Sequence, residues 1–183
     1  MSFSYNLTLK EVLKRPLLQN SILVSGFDGL NRKVSWVHIL QVSKVDTLIS
    51  GNEMILTTGA GLKKGTEIEF LENLIKQDAC CLCIELGHYF HNIPKEMIHI
   101  SNKHNFPLIV FNETIRFIDL TQDIHSLLIN RKHKVLEDFI NISREFQRLT
   151  LSQDATVQIL KLLHKKSHSN IAFLPVEKNE VFI

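Results

Sequence analysis

The chain carries no marked excess of charge: Lys and Arg together number 21 against 19 Asp and Glu, a net charge of +2. That balance gives no overall basic footprint for nucleic acid, so any such contact would be local. No apolar run is long enough to span a bilayer, and Met1-Ser2-Phe3-Ser4-Tyr5 has neither the basic start nor the apolar core of a signal peptide. The expected compartment is the cytoplasm, with no membrane partner. Cysteine is scarce. An odd three, crowded at Cys80, Cys81 and Cys83, excludes a disulfide framework and fits a reducing environment. Between Glu113 and Pro175 there is neither glycine nor proline, so nothing interrupts a long helical tract there.

What is present divides along the chain. At 183 residues and 44% hydrophobic content, one domain with an appendage is the natural size class. All seven glycines fall within the first 87 residues, where tight turns between short elements are expected. Thr8-Leu9-Lys10-Glu11 has capping-box spacing and predicts a helix to about Arg15, stopped by Pro16. Ser21–Ser25 and Val34–Leu40 read as strands separated by the turn-forming Gly26–Arg32, hence a hairpin or neighbouring strands. Next come a strand at Met54–Thr58, a helix at Thr66–Gln77 with a second capping box (Thr66, Glu69), and a strand at Cys80–Leu86. A helix at Pro94–His104 and a strand at Leu108–Phe111 follow. That alternation predicts an α/β fold with a mostly parallel or mixed sheet and flanking helices, followed by a long linker helix and the start of a second α/β domain.

In such sheets ligands collect beyond the carboxyl ends of the strands. Three ends qualify: Thr57-Thr58-Gly59-Ala60-Gly61, Leu86-Gly87-His88 and Phe111-Asn112-Glu113. The ligand-binding candidates are therefore Thr57, Thr58, Gly59, Gly61, His38, Glu53, His88 and Glu113. The glycine loop GAGLKKG is not a phosphate cradle, because Lys63 and Lys64 lead into Gly65 rather than Ser or Thr, and it lacks the dinucleotide fingerprint. Two readings stay open: a strand-ending turn that needs small residues, and a small-molecule contact.

Leu128, Val135, Ile142 and Leu149 recur every seven residues, with Ile124, Phe139 and Phe146 completing a 3-4 stripe and Lys132 out of character. The stripe predicts one long helix whose seam meets its own α/β domain, the helix after residue 155, or a partner helix. The dimerisation candidates are Leu128, Val135, Phe139, Ile142, Phe146 and Leu149. Arg131-Lys132-His133-Lys134 reads as a solvated basic face.

Cys80, Cys81 and Cys83 with His88 and His91 lack the paired spacing of a zinc site. On a strand, Cys81 and Cys83 face one side and Cys80 the other, so buried structural cysteines are expected and no metal or cofactor. His38, on the same strand face as Trp36, reads as a hydrogen-bonded structural histidine, with ligand contact as the alternative. Glu53, Glu85, Glu113 and Asp119 with His38 or His88 supply acids and a base, but no nucleophile elbow or cofactor motif accompanies them, so no enzyme is expected.

Trp36-Val37-His38-Ile39, Asp46, Gly51–Gly59, Leu86-Gly87, Ile93-Pro94, Phe106–Ile109 and Phe117–Thr121 together resemble the amino-terminal domain of PucR-type transcriptional regulators, named for purine catabolism. The likeness covers about residues 7 to 150, with Gln41 standing where the family pattern usually carries an acid. It implies a sensory domain at 1–117, a dimerising linker at 118–151, and the opening of a GAF-like middle domain at 152–183. Within the last, Asn170–Val176 would be a strand, with a hairpin turn at Lys178-Asn179. The resemblance further implies a homodimer, a small-molecule effector, and DNA contact only through a carboxyl-terminal helix-turn-helix that this shortened chain lacks. The alternative is a structural dimerisation module with no ligand of its own.

Overall fold

The computed structural model describes residues 6–42, 45, 48–62 and 65–174. Asp46, Lys63, Lys64, Val176 and the Lys178-Asn179 turn lie outside them. Contacts group the chain into two units, Met1–Arg131 and Lys132–Ile183.

The first unit is built on a five-stranded mixed sheet. Strands β4 (Trp36–Ile39), β5 (Glu53–Thr57), β6 (Cys81–Glu85) and β7 (Leu108–Phe111) run parallel, and β2 (Ser21–Ser25) closes the far edge antiparallel to β7, giving the order β2-β7-β6-β5-β4. A two-stranded ribbon pairs β1 (Leu7–Thr8) with β3 (Lys33–Val34). Central β5 is buried along its whole length, as a strand covered on both faces must be, which is why it reads as a nearly unbroken apolar run.

Two cores result. On one face Met54, Leu56, Cys81, Cys83, Ile109 and Phe111 pack with Leu9 and Val12 of the short helix α1 (Leu9–Val12) and with Leu120, Ile124 and Leu128 of α4 (Phe117–Thr150). On the other, Ile55, Leu82, Ile84 and Leu108 pack with Phe70, Leu71 and Leu74 of α2 (Glu67–Lys76) and Met97 of α3 (Lys95–Lys103). Each fully buried side chain of this size contributes about 1.5–3 kcal/mol. At the β2 edge Ser25 donates to the Ser101 hydroxyl at 2.7 Å, while Ser101 donates to the Phe106 carbonyl at 2.5 Å.

The predicted α/β alternation is observed, with local corrections. Ser21–Ser25 and the Trp36 strand form no hairpin and are not neighbours; they occupy opposite edges of the sheet. The connecting residues form a 3-10 helix, Phe27–Asn31, and β2 finds its partner about 85 positions away in β7. Thr8 and Glu11 do form a capping box, but the helix ends at Val12 and Pro16 opens a separate 3-10 turn. The second box does not form. Thr66 stands at the N-cap of α2 with φ −101° and ψ 5° and makes no side-chain cap hydrogen bond, because that backbone does not turn its hydroxyl toward the first helical turn. Cys80 precedes β6 and joins the same core as Cys81 and Cys83, so the three are not split between faces.

In the second unit the end of α4 is followed by α5 (Ala155–Ser167), where Leu162 is buried and Lys166 reaches Glu145 at 3.8 Å. Within the expected 170–176 strand, Phe173 alone of the described residues has a strand bridge.

Candidate functional site

Parallel pairing brings the carboxyl ends of β4, β5, β6 and β7 to one edge of the sheet. The loops leaving that edge differ in character. After β5, the chain folds back on itself. The buried Thr57 hydroxyl accepts from the Gly59 amide at 3.0 Å and donates to Gln41 Oε1 at 3.3 Å. The Thr58 hydroxyl accepts from the Ala60 amide at 3.3 Å and donates to the same Gln41 oxygen at 3.1 Å. Gly59 sits at φ +82°, where a Cβ would meet the Phe90 ring at 2.5 Å; at Gly61 a Cβ would fall 1.2 Å from the Gln41 carbonyl oxygen. Both glycines are required by close approach, and the left-handed backbone adds to the requirement at the first. The threonine hydroxyls thus have partners within the protein, and Gln41 is what they hold.

After β6 the loop is open. Gly87 N–H donates to the Phe90 carbonyl at 2.7 Å, closing a turn that places Phe90 in the core and leaves Tyr89 58% exposed. His88 meets the Tyr89 ring edge-on, centroids 5.0 Å apart. A cleft of 450 Å³ lies here, lined by Gly59, Leu62, Glu67, Tyr89, Phe90, His91, Asn92 and Pro94. It has an aromatic wall, a carboxylate from the first turn of α2 and the amide of Asn92, the mixture of apolar surface and few polar groups that suits a small ligand. A second cleft, 230 Å³, lies beyond β7 and is lined by Pro16, Leu17, Asn20, Phe111, Asn112, Glu113, Thr114 and Ile115.

The eight ligand candidates therefore separate. Gly59 lines the larger cleft and Glu113 the smaller. Thr57, Thr58 and Gly61 shape the β5 turn, and His88 supports Tyr89. Glu53 opens β5 and lies at the amino end of the sheet, where both its carboxylate oxygens accept from the Ser50 amide at 3.1 Å. His38 is half-buried on β4, where its backbone belongs to the ladder with β5 but its side chain has no hydrogen bond to a described residue, so the side-chain hydrogen bond expected of it is missing there. Glu67, Tyr89, Phe90, His91 and Asn92 were not candidates. For Tyr89, Phe90 and His91 the sequence signal is the aromatic cluster His88–His91 between Gly87 and Pro94, and Glu67 and Asn92 carry none.

The other histidine of interest is His125, on the first half of α4. Its ring stacks on Trp36 with centroids 3.8 Å apart, and its Nε2 lies 3.2 Å from both the amide and the carbonyl of Val37. Burial pushes its pKa down, and the Val37 backbone only partly offsets this. Two ion pairs flank it. Arg15 grips Asp123 through two nitrogens, and its hydrogen bonds hold that carboxylate below its usual range. Arg131 reaches Glu11 at 2.8 Å and, with the Thr8 amide, brings the Glu11 pKa down to about 2. The thiols of Cys80 and Cys81 are pushed up, Cys80 by its hydrogen bond to Cys81 and by burial, Cys81 by burial first. Such thiols do not ionise readily, which fits a packing role.

The Purine catabolism regulatory protein of Bacillus subtilis (strain 168) is 26% identical to this chain over 172 residues, 93% of this chain and 32% of that protein. Transcriptional activator PmfR of Paenarthrobacter nicotinovorans is 25% identical over 115 residues, 61% of this chain and 24% of that protein. The matched stretch thus spans about a third or less of these curated relatives. A solved structure of the CBS and DRTGG domains of the regulatory region of Clostridium perfringens pyrophosphatase, complexed with activator, diadenosine tetraphosphate, covers 58% of this chain and 44% of its own. Its identity is 15% and its TM-score 0.41, a likeness too slight to carry an argument. The decisive match is the profile of the PucR, or Purine catabolism regulatory protein-like, family over residues 11–128, more than half of the chain. The chain belongs to this family of transcriptional regulators.

Proposed function

We propose that residues 1–117 are the sensory domain of a PucR-type regulator and bind a small metabolite in the cleft beyond β5 and β6. On this reading residues 118–151 are a dimer-forming linker, 152–183 open a GAF-like middle domain, and DNA is read by a helix-turn-helix outside this chain. The chain acts as a regulator in the cytoplasm and catalyses nothing. The observation that supports the sensory reading is the 450 Å³ cleft itself, with Tyr89 exposed beside the buried Phe90 and Glu67 at its rim. Ligand binding transmits a signal only if it distinguishes two arrangements of the protein energetically.

A thermal-shift panel of purine-pathway metabolites, nucleotides and amino acids tests it. A ligand at a hundred times its Kd stabilises the fold by about 2.7 kcal/mol through mass action. The resulting rise in Tm should vanish in Tyr89→Ala. A uniformly flat panel would sink the sensory reading.

A second reading, a dimerisation module without a ligand, is favoured by one observation: Leu136, Phe139 and Ile140 are exposed on α4, Phe139 by 69%. Three apolar side chains at this helical spacing form a stripe suited to a second copy. Of the six dimerisation candidates, Leu128 is buried in the core of its own domain, while Val135, Ile142, Phe146 and Leu149 are half-buried. Light scattering on Leu136→Glu/Phe139→Glu should show monomers where the parent chain is dimeric. An unchanged mass would refute this interface.

A further inference from the structure

We propose that β4 is the relay through which the Thr57–Gly61 turn positions the root of α4. This deepens the sensory reading, on which its biological use rests, but the mechanical path can be tested without a ligand.

The path is continuous. Gln41, just beyond the carboxyl end of β4, accepts both threonine hydroxyls, and its backbone carbonyl fills the space where a Gly61 side chain would stand. The turn and the strand end therefore move together. From Trp36 to Ile39 the chain is a regular strand in register with β5, Trp36↔Glu53 to Ile39↔Leu56, and beyond it Leu40 N–H still donates to the Leu56 carbonyl at 2.9 Å, one residue before Gln41. Displacement at one end is carried to the other because a strand resists axial compression far better than a loop. At that other end the Trp36 ring lies on His125 and the Val37 backbone meets His125 Nε2.

β4 is also the strand with the freedom to act this way. Among the described residues it is an edge, paired only to β5, whereas β5, β6 and β7 each have a strand on both sides. A tilt of β4 breaks no second ladder. Gly59 ties the same turn to Phe90, a wall of the larger cleft. An occupant pressing on Phe90 would act on the turn, the turn on Gln41, and β4 on α4. His125 is thus a positioning residue rather than a ligand contact.

The experiment exploits the fact that Trp36 is the only tryptophan, so its indole N–H resonance reports on this stack alone. Gln41→Ala on the full chain should shift that resonance and speed amide exchange around Ile124 to Leu128 by roughly two- to thirty-fold, the range of coupling found along contact networks. Gly61→Ala should do the same where it folds. In the reverse direction His125→Ala should speed exchange of the Gly59 and Ala60 amides. Ser101→Ala, at the opposite sheet edge, controls for general loosening and should leave the indole resonance in place.

An unmoved indole in Gln41→Ala would overturn the relay, as would an equal shift in Ser101→Ala. The sensory reading fails separately: a relay that responds to Gln41→Ala while no metabolite stabilises the chain leaves the coupling standing and removes the sensing.

Discussion

The two halves of α4 share one heptad stripe and have opposite surroundings. From Phe117 to Arg131, Leu120, Ile124 and Leu128 are buried at four-residue steps, and Asp123, His125 and Arg131 are each held by the α/β domain. From Lys132 to Thr150 no residue is buried: on the stripe Val135, Ile142, Phe146 and Leu149 are half-buried and Phe139 is exposed, and beside it Leu136 and Ile140 are exposed as well. The difference teaches that a 3-4 repeat specifies a stripe but not what covers it. The sheet covers the first half, which follows β7 after a short loop, while the second half belongs to the unit that holds α5.

Substitutions should break this symmetry of sequence. Ile124→Ala removes a fully buried side chain and should cost about 2–5 kcal/mol in urea unfolding. Phe139→Ala, measured where the chain is monomeric, should stay within about 0.5 kcal/mol. Equal losses would erase the contrast between the halves.

A smaller effect concerns the proton balance of the first half. Burial holds the His125 pKa below its ordinary 6.5, so the folded chain binds that proton less readily than the unfolded one. The corresponding stability is present above pH 6.5 and lost as pH falls through the folded value. His125→Phe should flatten this slope in denaturation curves taken from pH 7.5 downward. A slope that survives intact would remove His125 as its source.

The smallest effect is expected at the Glu11–Arg131 pair. Glu11 is held at about 2 against an ordinary 4.5, so its contribution is present above pH 4.5 and lost as pH falls from there towards 2. Both side chains are partly exposed, so Glu11→Gln at neutral pH should cost within about 1 kcal/mol. The variant should also lose part of the acid sensitivity of the parent chain. Loss of helicity throughout α4 would show the pair to be far more important than its exposure implies.

Much of the fold was legible because its signals are local. The apolar runs of β5, β6 and β7, the proline beginning at Pro94 and the unbroken tract after Glu113 each report on their own element. What escaped was decided at long range. Nothing near Ser21 says that its strand pairs with β7 rather than β4, and Thr66 has the right neighbours for a cap but the wrong backbone angles. Among the candidate site residues, the Thr-Thr-Gly box drew attention through its composition, yet its hydroxyls meet Gln41 from sixteen and seventeen residues earlier. The open cleft depends on Phe90 lying against Gly59, a contact across thirty-one positions with no periodic trace.

The contact between His125 and Val37 has one more consequence. Even-numbered residues of β4 face β5, as the Leu40 to Leu56 bond shows, so the Val37 amide points away from the sheet. Left bare beside Trp36 and Ile39, it would offer a sticky template for strand addition and fibril-like association. α4 stands guard over that edge. Fraying of its first turns would therefore be felt as aggregation during expression or heating, well before the rest of the sheet came apart.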